Sequence, residues 1–147
     1  MNFREAELSD ITQMQVVRHL VKENTLSDPS LVPDQDVAYY ITVKGKGWVA
    51  ERDGKIVGFA VVDLQHKSVW ALFVDPKHAE KGIGKELHRL MISWYFSQTK
   101  KDIVLGTAQN TRAEKFYALQ GWNNVGSYSN GETKFELKFE DWAKRQI

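Results

Sequence analysis

Residues 74–85, Val74-Asp75-Pro76-Lys77-His78-Ala79-Glu80-Lys81-Gly82-Ile83-Gly84-Lys85, join two elements of opposite character. The apolar run from Val69 to Val74 reads as a central strand. Asp75-Pro76 ends it, because proline cannot donate to a strand ladder. Two glycines spaced by one residue then open a helix over Gly82 to Gln98, with Ile83, Leu87, Leu90, Met91 and Trp94 on one face. The first N–H groups of a helix have no internal partner, and the helix dipole makes that end positive. Glycine lets the backbone come close to a ligand, so a phosphate or pyrophosphate fits this start. Tight strand–helix packing would also call for small residues here. Two other glycine motifs fail: a P-loop needs glycine where Ala79 stands, and GxGxxG needs glycine at Leu87.

On the N-terminal side, Asn2 to Glu7 alternates as a strand would, and Ser9 or Asp10 can cap a helix over Ile11 to Asn24. Its inner face would hold Ile11, Met14, Val17, Leu20 and Val21. A loop from Thr25 to Val32 leads to Pro33, which suits the first turn of a second helix turning Val37, Tyr40 and Ile41 inward. That helix stops at Gly45 or Gly47. Trp48 to Arg52 and Lys55 to Leu64 pair as a hairpin through Asp53-Gly54, and a turn at Gln65-His66-Lys67 feeds the strand 69–74. On the C-terminal side, Asp102 to Gly106 reads as a buried strand. Asn110 or Thr111 caps a helix that runs through Leu119 and ends at Gly121. Tyr128 and Thr133 to Phe139 close the chain as a hairpin around Asn130-Gly131. The order β, α, α, β, β, β, α, β, α, β, β predicts an α/β fold, of the α+β type, on one mixed sheet.

The 147 residues suit a single domain over 1–147 with a real core, at 42% hydrophobic and 27% charged. The net charge of +1 is spread along the chain, which argues against nucleic-acid or anionic-membrane partners. There is no cysteine, so disulfides and thiolate chemistry are excluded. The four histidines have no metal-ligand spacing, and no metal is expected. A charged, alternating start and the lack of an apolar run of about 20 residues predict a soluble cytoplasmic protein.

Two segments carry a family resemblance. Leu72-Phe73-Val74-Asp75-Pro76 followed by Lys81-Gly82-Ile83-Gly84-Lys85 resembles motif A of the GNAT superfamily of acyl-CoA-dependent N-acetyltransferases. Asn110-Thr-Arg-Ala113-Glu-Lys-Phe116-Tyr117-Ala-Leu-Gln-Gly121-Trp122 resembles that family's motif B. With the element order and the final strand pair, the resemblance covers almost the whole chain. It departs from the family at Ala79, where Arg or Gln is usual, and at Glu80, where a small residue is common. The resemblance implies a mostly antiparallel sheet of about 6–7 strands flanked by about 4 helices, with the central parallel strands 69–74 and 102–107 splayed. It implies acetyl-CoA as cosubstrate, its pyrophosphate held by Ala79, Glu80, Lys81, Gly82, Ile83, Gly84 and Lys85. Its pantetheine arm would run along Leu72, Phe73 and Val74, with Asn110, Phe116 and Tyr117 completing the site.

The resemblance further implies an amine acceptor, from a small molecule or a peptide, and allows a homodimer. Tyr117 is the catalytic candidate, because a phenol can protonate the departing thiolate; packing beside Phe116 is its alternative role. Asn110 suits a helix cap as well as a cofactor contact. The base that receives the amine's proton has Glu23 and Asp28 as first candidates, beside Glu51, Asp63 and His66. Tyr39, Tyr40, Trp48 and Trp70 are candidates for an aromatic acceptor pocket, or else core. Glu23, Asp28, Asp34 and Asp36 make that region acidic and favour a cationic acceptor. A non-catalytic acyl-CoA sensor or interaction domain of the same fold is the alternative function.

Overall fold

In a computed structural model, which describes residues 1–21, 32–79 and 82–146, the chain runs β1 (Asn2–Glu5), α1 (Ile11–Leu20), α2 (Asp34–Tyr39) and β2 (Gly45–Arg52). It continues through β3 (Lys55–Asp63), β4 (Ser68–Val74), α3 (Ile83–Gln98), β5 (Ile103–Thr107) and α4 (Arg112–Leu119). β6 (Asn123–Ser127), β7 (Thr133–Leu137) and α5 (Phe139–Arg145) complete it. The strands form one seven-stranded sheet in the order β1-β2-β3-β4-β5-β7-β6. Among the described residues only β4 and β5 pair in parallel; the other neighbouring pairs are antiparallel. No helix among the described residues is long and apolar enough to cross a membrane.

The sheet carries a separate core on each face. Towards α3, Val57, Ala60, Leu87, Met91, Ile103, Leu105 and Phe135 are buried together. Towards α1 and α2 the core is smaller, built by Met14, Val17, Val37, Val49, Phe59 and Val61. The two faces alternate along the strands except where the register shifts, at Ala50/Glu51 between β2 and β3, at Asn124/Gly126 between β6 and β7, and at Val61/Val62 opposite β4. The shift at Val61/Val62 leaves Trp70, Ala71 and Phe73 all on the α1/α2 face, while Val69, Leu72 and Val74 pack towards α3.

β4 is laddered to β3 along one edge, with only Trp70 bulged out of register, but it meets β5 at a single register pair among the described residues, Ser68 with Val104. Val104 N donates to Lys67 O at 3.0 Å just below that point. Beyond it no β4–β5 rung follows among the described residues, so the strands diverge towards Val74 and Thr107, as the splay implied by the resemblance requires.

Several expectations are revised. The first helix ends at Leu20 rather than Asn24; Leu20 is exposed and Val21 half-buried, so neither joins the inner stripe. Along α3 the buried side takes in His88, Ile92, Tyr95 and Phe96, while Leu90 and Trp94 are only half-buried. A buried histidine broke the apolar period there, and Phe96 is further covered from outside the sheet. That cover is α5, an unexpected helix that starts where the expected strand 133–139 was to end, β7 stopping at Leu137: Phe139 and Trp142 pack on Phe96 at 5.5 and 5.1 Å. The alternation of Phe135, Leu137 and Phe139 had masked the change of element. Its acidic first turn, Glu140 and Asp141, and its basic last turn, Lys144 and Arg145, suit a helix dipole. The last hairpin also begins earlier than Tyr128, because the polar run 123–127 serves as an exposed edge strand.

Candidate functional site

The turn after β4 is fixed by its first residue. Asp75 is buried, its N–H donates to Val57 O at 2.8 Å, and its Oδ1 accepts from Lys77 N at 3.0 Å. Pro76–His78 makes one tight helical turn before Ala79 extends. Gly82 then starts α3 from the left-handed region, at φ 77°, where a side chain would be strained. No side chain caps this start. The first bond into the helix is Glu86 N to Gly82 O at 3.1 Å, so the N–H groups of Ile83, Gly84 and Lys85 have no intrahelical partner. Glu80 and Lys81 lie outside the described residues.

The start of α3 borders, at Gly82, Gly84 and Lys85, a cleft of about 780 Å³ that also takes in the end of β4 and one side of α4. Of the residues assigned to the cofactor from sequence, Leu72, Phe73, Val74, Ala79, Gly82, Gly84, Lys85, Phe116 and Tyr117 line it. Ile83 is packed into the core, leaving only its backbone for a ligand. Asn110 does not border the cleft: it sits exposed at φ 61°, its N–H donating to Glu114 Oε1 at 3.2 Å. The cap of α4 is Thr111, whose Oγ1 accepts from Glu114 N at 3.3 Å. The cleft also takes in Leu20, Val21, Arg112, Ala113, Lys115 and Gln120, which sequence reasoning missed. Helical spacing from Phe116 and Tyr117 points back to 112 and 113 and on to 120, a signal that was available. Lys85, Arg112 and Lys115 make its walls cationic.

Tyr117 stands where the cleft meets the core, 6% exposed. Its ring is enclosed by Phe116 at 5.3 Å, Trp122 at 5.6 Å, and His88 and Phe135 at 6.3 Å. Burial raises its phenol well above the ordinary value of 10.0, so it keeps its proton throughout the neutral range. His88 is held neutral: burial, aided by the charge of Arg145, pushes its pKa down to about 4. Its Nε2 accepts from Trp122 Nε1 at 2.9 Å.

The carboxylates divide. Glu23 and Asp28 lie outside the described residues. Glu51 is 3.4 Å from Arg4 on the β1 side of the sheet, away from the cleft. Burial works to raise Asp63, but His66 N at 3.0 Å, the His66 ring at 2.9 Å and Lys44 at 3.3 Å outweigh it and hold the carboxyl below its usual range. Asp63 and His66 thus serve each other rather than the cleft. Of the four aromatics, Tyr40 and Trp70 do meet, stacked at 4.0 Å on the α1/α2 face. Tyr39 is half exposed. Trp48 is buried on the opposite face, edge-on to Trp94 at 5.8 Å, because strand alternation turns it towards α3.

Comparisons with known proteins agree with this geometry. The model of the acetyltransferase (GNAT) family matches residues 14–122. A peptidyl-lysine N-acetyltransferase, YiaC, from Escherichia coli (strain K12) is 33% identical over 98 residues, 66% of this chain and 63% of that protein. The N-acetylaspartate synthetase of Xenopus tropicalis is 34% identical over 99 residues, 60% of this chain but 35% of its own length. The chain thus spans less than two-thirds of either relative. The PaiA N-acetyltransferase of Thermoplasma acidophilum, solved in complex with coenzyme A, shares the fold: the TM-score is 0.79 over 93% of this chain and 98% of that one, at 16% identity. The family match takes in the glycine turn, the split between β4 and β5, and the helix of Tyr117, and the chain belongs to the GNAT acetyltransferase family.

Proposed function

We propose that the protein is an N-acetyltransferase that moves the acetyl group of acetyl-CoA to a primary amine of a small molecule or peptide, by direct attack in a ternary complex. One observation carries the reading: a single cleft joins the uncapped start of α3 to the buried Tyr117 along the open edge of β4. The N–H groups of Ile83, Gly84 and Lys85 match a pyrophosphate, with Lys85, Arg112 and Lys115 adding positive charge. The free edge at Leu72–Val74 can pair with the amides of a pantetheine arm as it would with an added strand. Acetyl-CoA, when bound, supplies the activated thioester carbonyl.

The chain's own groups then manage protons. As the amine nitrogen bonds to the carbonyl carbon and the C–S bond breaks, Tyr117 gives its proton to the leaving sulfur. An acceptor amine has a pKa of about 10.4 and must lose a proton to attack. Glu23 and Asp28 are the carboxylates proposed to receive it, directly or through water. The names of the two relatives, one for peptidyl-lysine and one for N-acetylaspartate, support an amine as acceptor.

Thiol release from acetyl-CoA across an amine panel tests this, with thermal unfolding in the presence and absence of coenzyme A. Ligand at about 100 times its dissociation constant should add about 2.7 kcal/mol of stability. Stabilisation without release on any amine would favour the sensor; no stabilisation would end both readings.

A further inference from the structure

On the α1/α2 face of β4, five side chains form a column: Lys44, Tyr40, Trp70, Arg18 and Phe73. Lys44 Nζ lies 4.7 Å from the Tyr40 ring, Tyr40 stacks on Trp70 at 4.0 Å, and Arg18 Cζ is 5.0 Å from both Trp70 and Phe73. The two cations of this column are treated differently. Lys44 has a carboxylate partner, Asp63, at 3.3 Å. Arg18 is only 6% exposed, yet its Nε and Nη2 have no hydrogen-bond partner among the described residues.

Aromatic faces attract a guanidinium's charge but accept none of its in-plane N–H bonds. Two buried donors without acceptors are costly, and a planar fork of donors is the natural complement of a carboxylate. Burial lowers the pKa of Arg18 to about 10, which still leaves it charged at neutral pH. Its place is next to the cleft: Leu20 and Val21 follow it on the chain, and both line the cleft together with Phe73, one of the rings Arg18 covers.

We propose that Arg18 is a specificity-determining residue that receives a carboxylate of the acceptor, so that the preferred acceptor is an amine that also bears a carboxylate. This rests on the acetyltransferase reading. The bidentate fork fixes the acceptor at one end while its amine reaches the thioester at the other. The acidic character of the neighbouring sequence still suits the amine's own charge.

The test measures binding in the presence of coenzyme A, without turnover. The probes are N-acetylglycine, N-acetyl-β-alanine, N-acetyl-4-aminobutyrate and N-acetyl-6-aminohexanoate, each against its carboxamide. Wild-type protein should bind the acid about tenfold or more tighter than the amide for at least one spacing. Arg18→Gln should equalise acid and amide by weakening the acid alone, with coenzyme A affinity unchanged. Arg18→Lys, which keeps the charge without the fork, should retain part of the preference and serves if Arg18→Gln folds poorly. No acid preference in wild type at any spacing, or a preference that survives Arg18→Gln, would overturn the proposal. Failure of coenzyme A binding in wild type would instead strike the acetyltransferase reading, and the acid–amide comparison still reports on Arg18.

Discussion

The two helices that open onto the cleft begin in contrasting ways. α4 starts at Thr111, whose hydroxyl accepts from Glu114 N, while the Glu114 carboxylate accepts from Asn110 N. α3 starts at Gly82, with no capping side chain and in a backbone conformation that favours glycine. A side-chain cap is worth about 1 kcal/mol to a helix. α4 has that stability and has spent the Glu114 N–H to obtain it; α3 forgoes it, and its first N–H groups have no intrahelical partner. The two helices accordingly serve the cleft by different means. α3 offers backbone, and α4 offers side chains, Phe116 and Tyr117 foremost.

The sharpest way to separate these contributions is Tyr117→Phe. If α4 supplies the acid, turnover should fall by roughly 10²- to 10⁴-fold while coenzyme A affinity and folding persist. A near-normal rate in a folded variant would remove Tyr117 from the chemistry. His88 joins the two helices, reaching from α3 to Tyr117 and Trp122, and it makes their union sensitive to acid. Its folded pKa, near 4, lies below the ordinary 6.5, so between those values the unfolded chain binds the extra proton. Stability should be complete above pH 6.5 and decline by about 3 kcal/mol as the pH falls to 4. Denaturant midpoints measured across that range check this, and His88→Gln should flatten the slope. Asp10, Asp63 and Glu86, held below their ordinary values of 3.8, 3.8 and 4.5, begin to lose their contributions as the pH falls below those values.

A smaller effect is expected from Gly84→Val. Its Cβ would make only ordinary contacts, 3.6 Å to Val74 and 3.7 Å to Phe116, so the fold should hold. Branched carbons beyond it would obstruct the α3 start, and loss of one charge-assisted bond weakens coenzyme A binding by about tenfold. Unchanged affinity in calorimetry would refute the pyrophosphate placement. Smallest is Thr111→Ala: about 1 kcal/mol of stability, a shift of roughly 2–4 °C in Tm, with coenzyme A affinity untouched. Were it to weaken coenzyme A instead, the contrast between the helix starts would fail.

Local signals in the sequence carried much of this architecture. The Asp53-Gly54 hairpin, the strand stopped at Asp75-Pro76 and the helix ended by Gly121 each depend on backbone rules that neighbours cannot override. What stayed hidden depends on tertiary partners. The alternation ran on to Phe139 and hid α5, whose meaning comes from Phe96 across the molecule. The grouping of Trp70 with Phe73 arises from an irregularity in the β3 pairing that no alternation pattern announces. Asp63 resembled a free carboxylate until Lys44 and His66 closed on it. Arg18 had no role assigned from sequence, and the fold buries it among Phe59, Trp70 and Phe73.

The single rung between Ser68 and Val104 has a mechanical consequence. Strands β1 to β4 form one wing and β5, β7 and β6 the other, with little main-chain bonding to hold their outer ends in step. A pantetheine lying in that gap would act as a stitch. Amides flanking the gap should then be slow to take up deuterium only when the nucleotide is present, while those at the β2–β3 hairpin should be indifferent to it.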